Sequence, residues 1–269
     1  MFHTKRVLIW GKTYPELSWS RKETVCTGGC TEDGRPIRLY PVKLRYLARH
    51  QQYGLYEWIE VPVERNRKDP RPESHRVNDQ QLRVLERVGT DHGWRERAST
   101  VFADRSWHYG CVEDLKARQR NGLHSLGLVA VGAVKDVRLV ERSDDHRKKH
   151  EAKLAELRST LDLFSGIRQK DLEFIPYRVV LRWRCERLDG PDRCPGHSAA
   201  ILDWGLMELA RKRGPEAARQ KMEELADLDR YDLRLFMGNF FRRQYVFGVI
   251  GLWYPLRREL QQTELFNTR

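Results

Sequence analysis

No apolar run in this chain approaches the length of a membrane span. The longest, Tyr245 to Tyr254, covers about ten residues and contains two glycines, against about 20 residues for a spanning helix. The opening residues, Met1 to Trp10, lack the apolar core of a secretory leader and read as the start of a strand. A soluble, cytoplasmic protein with no membrane partner is therefore expected. Internal repeats, low-complexity tracts and sharp breaks in composition are also absent, so residues 1–269 are expected to form one domain. Within it, 1–66 reads as β-rich and 79–244 as helix-rich.

Several catalytic signatures are missing too. Gly11-Lys12-Thr13 ends like a phosphate-binding loop but has none of its upstream glycines. The zinc deaminase pattern is absent. Glu57, Glu60 and Glu64 share a predicted strand without the lysine partner that a metal-dependent nuclease would want. Asp203 and Glu208 are five apart and do not share a helix face closely. No catalytic residues are assigned.

What is abundant is positive charge. Fifty Lys and Arg stand against 38 Asp and Glu, a formal net charge of +12. Such an excess suits a polyanionic partner, chiefly DNA or RNA. The candidate phosphate contacts are Arg38, Lys43 and Arg45 around Leu39-Tyr40-Pro41-Val42; Arg65, Arg67, Lys68 and Arg71 in a proline-interrupted basic loop; and the pair Arg242 and Arg243. Of the eight tryptophans, Trp10, Trp58, Trp183, Trp204 and Trp253 sit in apolar patterns and are expected in the core. Trp19 and Trp94 lie among basic residues, where they would stack on bases or on neighbouring cations.

Periodicity gives the coarse structure. Val7 to Gly11 reads as a buried strand. Glu23 to Gly29 and Arg35 to Val42 flank Thr31-Glu32-Asp33-Gly34, a hairpin signal. Tyr56 to Glu64 and Leu126 to Val140 also read as strands. Along Leu172 to Arg187 a strand places Val179, Leu181, Trp183 and Cys185 on one face, with Arg182 and Arg184 on the other. Helices are expected at 79–88, 94–105, 112–119, 143–163, 198–212, 215–228 and 232–241. A strand over 245–254 closes the chain. The pattern is α+β: a mixed or antiparallel sheet built from N- and C-terminal strands, with a helical middle region.

Five cysteines are few and odd in number. In a reducing compartment, thiolates gathered at one point hold a metal rather than a disulfide. Cys185 ends an apolar strand face, Cys26 sits in the hairpin, Cys111 precedes a helix, and Cys194-Pro195-Gly196-His197 is a tight turn. The preferred ligand set is Cys26, Cys111, Cys185 and Cys194, with Cys30 and His197 as alternatives. Zinc or an iron–sulfur cluster would fit such a set.

Several segments form a distinctive series: Lys12-Thr13-Tyr14-Pro15, Val25-Cys26-Thr27, Arg38-Leu39-Tyr40-Pro41, Arg71-Pro72-Glu73-Ser74, Ser125-Leu126-Gly127, Cys194-Pro195-Gly196-His197 with Asp203-Trp204, and Gly248 to Pro255. Together they resemble an uncharacterised family of bacterial proteins to which no activity is attached. The resemblance implies a single full-length unit. It also implies an acid after Asp203-Trp204, where this chain has Gly205. The expected function is nucleic-acid binding with a cysteine-ligated metal centre, in a DNA- or RNA-handling or defence complex. The alternatives are a metal-dependent nuclease or nucleotide-processing enzyme, and a structural subunit with protein partners.

Overall fold

Successive residues of the first strand, the run Val7-Leu8-Ile9-Trp10, are buried on alternate faces, one inside a barrel and one outside it. The computed structural model describes residues 1–18, 22–164, 170–186 and 194–260. Its first sheet contains β1 (His3–Lys12), β2 (Glu16–Ser18), β3 (Lys22–Thr31), β4 (Pro36–Val42), β5 (Glu57–Arg65), β6 (Ser74–Val77) and β7 (Arg83–Arg87). Strand β1 pairs antiparallel with β3 on one side and with β5 on the other. Strand β3 pairs with β4, β4 runs parallel to β6, and β6 pairs back onto β5. The circuit β1-β3-β4-β6-β5 thus returns to β1. Five strands in this order, with a single parallel pair, have the topology of the OB barrel, a five-stranded Greek key. Val7, Ile9, Val25, Ile37, Leu39, Ile59, Val61 and Val63 fill the interior.

The second sheet contains β8 (His108–Tyr109), β9 (Leu126–Glu141), β10 (Tyr177–Cys185), β11 (His197–Ala200), β12 (Arg234–Phe240) and β13 (Arg243–Trp253). Its order is β11-β10-β9-β12-β13, with β8 beside β9. Helix α1 (Asp91–Val101) links the two sheets, α2 (Val112–Arg120) precedes β9, and α3 (Asp144–Phe164) follows it. Helices α4 (Trp204–Arg213) and α5 (Pro215–Leu225) bury Leu206, Met207, Ala218, Met222 and Leu225. These join Val179, Leu181 and Trp183 of β10 in one core.

A further core joins the sheets. Leu8, Trp10 and Cys30 on the outer barrel wall pack with Leu126, Leu128, Phe236, Ile250 and Trp253. Trp10 stacks on Phe236 at 4.4 Å between ring centroids and on Trp107 at 5.8 Å. Gly28 makes this contact possible, because a Cβ there would lie 2.3 Å from the Trp10 ring.

The class is α+β, as the periodicity implies, with mixed strand pairing. The strands divide into two sheets, and the C-terminal strand β13 pairs with β12 rather than with β1. Two expected helices are strands. Over 79–88 one 3-10 turn, Asp79–Gln81, leads into the edge strand β7; Leu82 before it faces the barrel interior, while Leu85 within it and Val88 after it face the core between the sheets, so their helical spacing is an accident. Over 232–241, Leu233, Leu235 and Met237 enter one core and Phe236 the other, a strand buried on both faces. Residues 198–200 lie in β11, and the helix starts only at Trp204. Trp94 is buried, not presented at the surface. Trp19 lies outside the described residues.

A buried polar network crosses between the sheets. The Glu73 carboxylate accepts from Ser125 N (2.8 Å), Ser125 Oγ (2.6 Å) and Leu126 N (3.3 Å) at the start of β9. Arg38 Nη2 donates to Ser125 O (3.0 Å). Arg71 forks onto Asp69 through Nε (2.9 Å) and Nη2 (2.6 Å), and its Nη1 donates to Asn239 O (3.0 Å). Removing one member of such a buried ion pair strands the other, at a cost of about 3–5 kcal/mol. Arg71→Met is therefore expected to lower unfolding free energy by about that amount in urea titrations; a loss below about 1 kcal/mol would refute the pairing.

Candidate metal centre and basic face

Four ligand-type side chains converge at the edge of the second sheet. The ligand atoms of Cys111, Cys185, Cys194 and His197 all lie within 4.8 Å of one another. Zinc–ligand bonds of about 2.0–2.3 Å would set tetrahedral edges of about 3.3–3.8 Å, so a modest contraction would close the set on one ion.

Local structure delivers each ligand. Cys185 ends the inward face of β10, where the β10–β9 register shifts beside Gly132. A Cβ at Gly132 would lie 2.7 Å from Cys185 O, so only glycine admits this approach. Cys194 precedes β11, and Gly196 takes φ +91°, turning the chain so that His197 pairs with Trp183. Cys111 is the N-cap of α2. His197 Nε2 stands 3.6 Å from Cys111 Sγ, while Nδ1 lies 3.9 Å from Glu113 Oε1. A carboxylate behind the ring orients the imidazole and leaves Nε2 for the metal.

The electrostatics suit ligation. Burial opposes ionisation of Cys194, but N–H groups of Cys185 and Gly196 and the neighbouring thiols outweigh it and hold the pKa below the ordinary thiol range. Burial pushes the Cys185 thiol up, with a hydrogen bond from the Val112 N–H opposing it. Burial likewise raises Cys111, against a hydrogen bond from the Glu113 N–H. Burial lowers the His197 pKa despite Glu113, favouring the neutral ring that binds metals. A bound cation would stabilise all three thiolates together.

Cys26 does not belong to this set. It lies on β3, where its Sγ accepts from Arg38 Nη1 at 3.4 Å. Cys30 is buried between the sheets. Its barrel-wall position commits Cys26 to the other sheet, and His197 supplies the fourth donor instead. The Cys-Pro-Gly-His spacing carries that signal, because a ligand three residues beyond Cys194 enters the same turn.

The candidate phosphate contacts divide sharply. Arg38 and Arg71 are buried, with exposures of 2% and 5%, and are spent on the internal network, so neither reaches a ligand at the surface. Arg65 donates to the carbonyls of Asn66, Asp69 and Ser74, holding its own loop. Arg45 pairs with Glu23 at 3.2 Å, and Lys43 is partly buried. Arg67, Lys68, Arg242 and Arg243 are exposed. The Arg71–Asn239 bond seats the β5–β6 loop against the β12–β13 turn, so these four cations occupy neighbouring loops. Gln119 of α2 contacts Gln244, which brings exposed Arg118 and Arg120 toward the same side. Among the described residues none of these six forms an ion pair, whereas Arg211, Arg219 and Lys221 on α4 and α5 do. Phe241 (51% exposed) and Tyr245 (72%) stand among them. Periodicity could not have shown this grouping, since it depends on a contact between residues 71 and 239.

The carboxylates do not gather. Glu60 bonds Arg83, Glu64 bonds the N-terminus, and Glu57 accepts from Gly54 N. Asp203 caps α4, accepting from Leu206 N at 2.9 Å, and Glu208 pairs with Arg211. Among the described residues, the Cys/His set is the one cluster arranged for a metal.

A sequence profile described as a domain of unknown function, DUF8757, matches residues 108–269, more than half the chain. The chain belongs to the DUF8757 family. A second profile, DUF8758, also of unknown function, matches residues 3–103, which hold the barrel and α1. No curated protein matches. All four clustered ligands fall within the DUF8757 segment.

Two outcomes check this geometry. Elemental analysis of purified protein should show bound metal lost in Cys185→Ser and His197→Ala but retained in Cys26→Ser; equal loss in all three would refute the assignment. The second concerns Asp203, whose burial raises its pKa to about 6 despite the Leu206 N–H and Lys12. A carboxyl with a raised folded-state pKa favours the native state at low pH, and that contribution fades as pH climbs from about 4 through 6. Asp203→Asn keeps a capping oxygen and should flatten the pH dependence of stability across that window, read by denaturant midpoints. An unchanged slope would contradict it.

Proposed function

We propose that this protein binds nucleic acid through the face formed by the β5–β6 loop, the β12–β13 turn and the end of α2, with a structural zinc ion fixing the neighbouring sheet edge. The observation carrying this reading is the set of six exposed cations without ion-pair partners among the described residues, interleaved with exposed Phe241 and Tyr245. Unpaired cations can exchange condensed counterions for phosphates, and aromatic rings supply stacking surfaces for bases. The barrel adds support by analogy of fold. OB barrels bind oligonucleotides partly through the loop between their fourth and fifth strands. Here that loop carries Arg67 and Lys68.

Zinc is favoured over an iron–sulfur cluster by the donor set. Three thiolates and one imidazole around a small tetrahedron fit a closed structural zinc site. A four-iron cluster places each cysteine on a different iron and spreads the sulfurs wider. The ion would tie α2 to β10 and β11, and so would fix the orientation of the helix that carries Arg118 and Arg120.

Fluorescence anisotropy with labelled single-stranded DNA and RNA tests the reading. Binding should weaken steeply with salt, and Arg242→Glu/Arg243→Glu should cut affinity at least tenfold and flatten the salt slope. Arg219→Glu/Lys221→Glu, which removes paired cations, should change it little. Absence of binding at low salt, or equal effects of the two double variants, would overturn the proposal.

A further inference from the structure

A cavity of about 970 Å³ opens where the barrel's entrance to β5, the start of α1 and the segment after β13 meet. Its inner wall holds Arg97, which is 5% exposed. The guanidinium lies 3.9 Å from the Tyr56 ring centroid and 4.5 Å from that of Trp94, and both Nε and Nη2 donate to Val88 O (3.2 and 3.0 Å). Two rings and one carbonyl hold it in place. Among the described residues no carboxylate pairs with it, although a buried cation is ordinarily balanced by an acid. Burial lowers its pKa, with the Tyr56 and Tyr254 hydroxyls offsetting part of the effect. Exposed Arg87, on the same cavity wall, adds a second positive charge.

The backbone is specialised here too. Among the described residues, the non-glycine positions with positive φ are Tyr56 (56°), His92 (53°) and Trp94 (62°), and all three border this cavity. Side chains rarely adopt that conformation, and it concentrates at ligand sites. The turn places Trp94 under Arg97 and edge-on to Tyr254, with ring centroids 5.0 Å apart. Tyr254, partly exposed, offers a flat apolar wall. Two acids, Asp91 and Glu259, also line the cavity.

We infer that this cavity is a nucleotide-binding site in which Arg97 and Arg87 hold the phosphate, Tyr254 meets the base and the two acids accept from ribose or base donors. An inorganic anion would use the arginines alone. A nucleotide uses the cations, the ring and the acceptors together, and the volume falls within the range of small-ligand pockets. No residue is shared with the basic face, so the site stands apart from the polymer-binding reading.

Titration of the full-length protein with AMP and UMP, followed by calorimetry and tryptophan fluorescence, provides the test. At least one should bind and perturb the fluorescence of buried Trp94. Adenosine or uridine, without phosphate, should bind at least tenfold more weakly. Arg97→Lys should weaken nucleotide binding at least tenfold. Arg87→Ala, at an exposed position, should weaken it measurably with an unchanged melting temperature, so the test survives if the Arg97 variant fails to fold. A 5′-phosphorylated dinucleotide distinguishes a free nucleotide from a strand end, which would bind more tightly than the monomer. The inference is overturned if neither nucleotide binds at millimolar concentration, if inorganic phosphate binds as tightly as AMP, or if Arg87→Ala leaves binding unchanged.

Discussion

The carboxylate of Glu73 holds the two sheets together. It leaves the loop before β6, passes into the second sheet and accepts three hydrogen bonds at the start of β9. Arg38 reaches the same serine from β4. A buried carboxylate is tolerable only when its oxygens are satisfied, and here both are. Because β9 is paired with β8, β10 and β12, the anchoring of its first residues sets the position of the whole second sheet against the barrel. The basic face and the cavity beside Arg97 draw residues from both sides of that junction, whereas the metal-ligand set lies wholly on the side of the second sheet.

Charge is used in two ways. Arg38 and Arg71 are buried and engaged by carbonyls and acids, so they act as parts of the core, whereas buried Arg97, held by two rings and a carbonyl, faces a cavity. Arg67, Lys68, Arg118, Arg120, Arg242 and Arg243 remain at the surface without ion-pair partners among the described residues. The distribution of the formal charge of +12 therefore matters more to a polyanion than its total.

Local pattern made some of this legible in advance. The alternation of Val179, Leu181, Trp183 and Cys185 placed Cys185 on the buried face of its strand, where it is found. The turn Cys194-Pro195-Gly196-His197 placed a thiol and an imidazole close together. Cys111 stands before a helix whose first turn faces the same point, whereas Cys26 lies on the barrel wall, and nothing local tells a barrel-wall cysteine from a ligand. Leu82, Leu85 and Val88 misled for a related reason. A strand that serves two cores shows apolar residues at irregular spacing, and three of them mimic a helical face. Arg71-Pro72-Glu73-Ser74 reads locally as part of a basic loop because its partners, Asn239 and Ser125, are remote in sequence.

The boundary between the two matched profiles falls between residues 103 and 108, yet the core around Trp10 does not respect it. Leu8, Trp10 and Cys30 come from one side of that boundary, and Leu126, Phe236, Ile250 and Trp253 from the other. Either half alone would expose a sticky aromatic surface to water. Severed at the junction and mixed, the two fragments would have a strong hydrophobic incentive to reunite, so a gene split at this point could still yield a working whole.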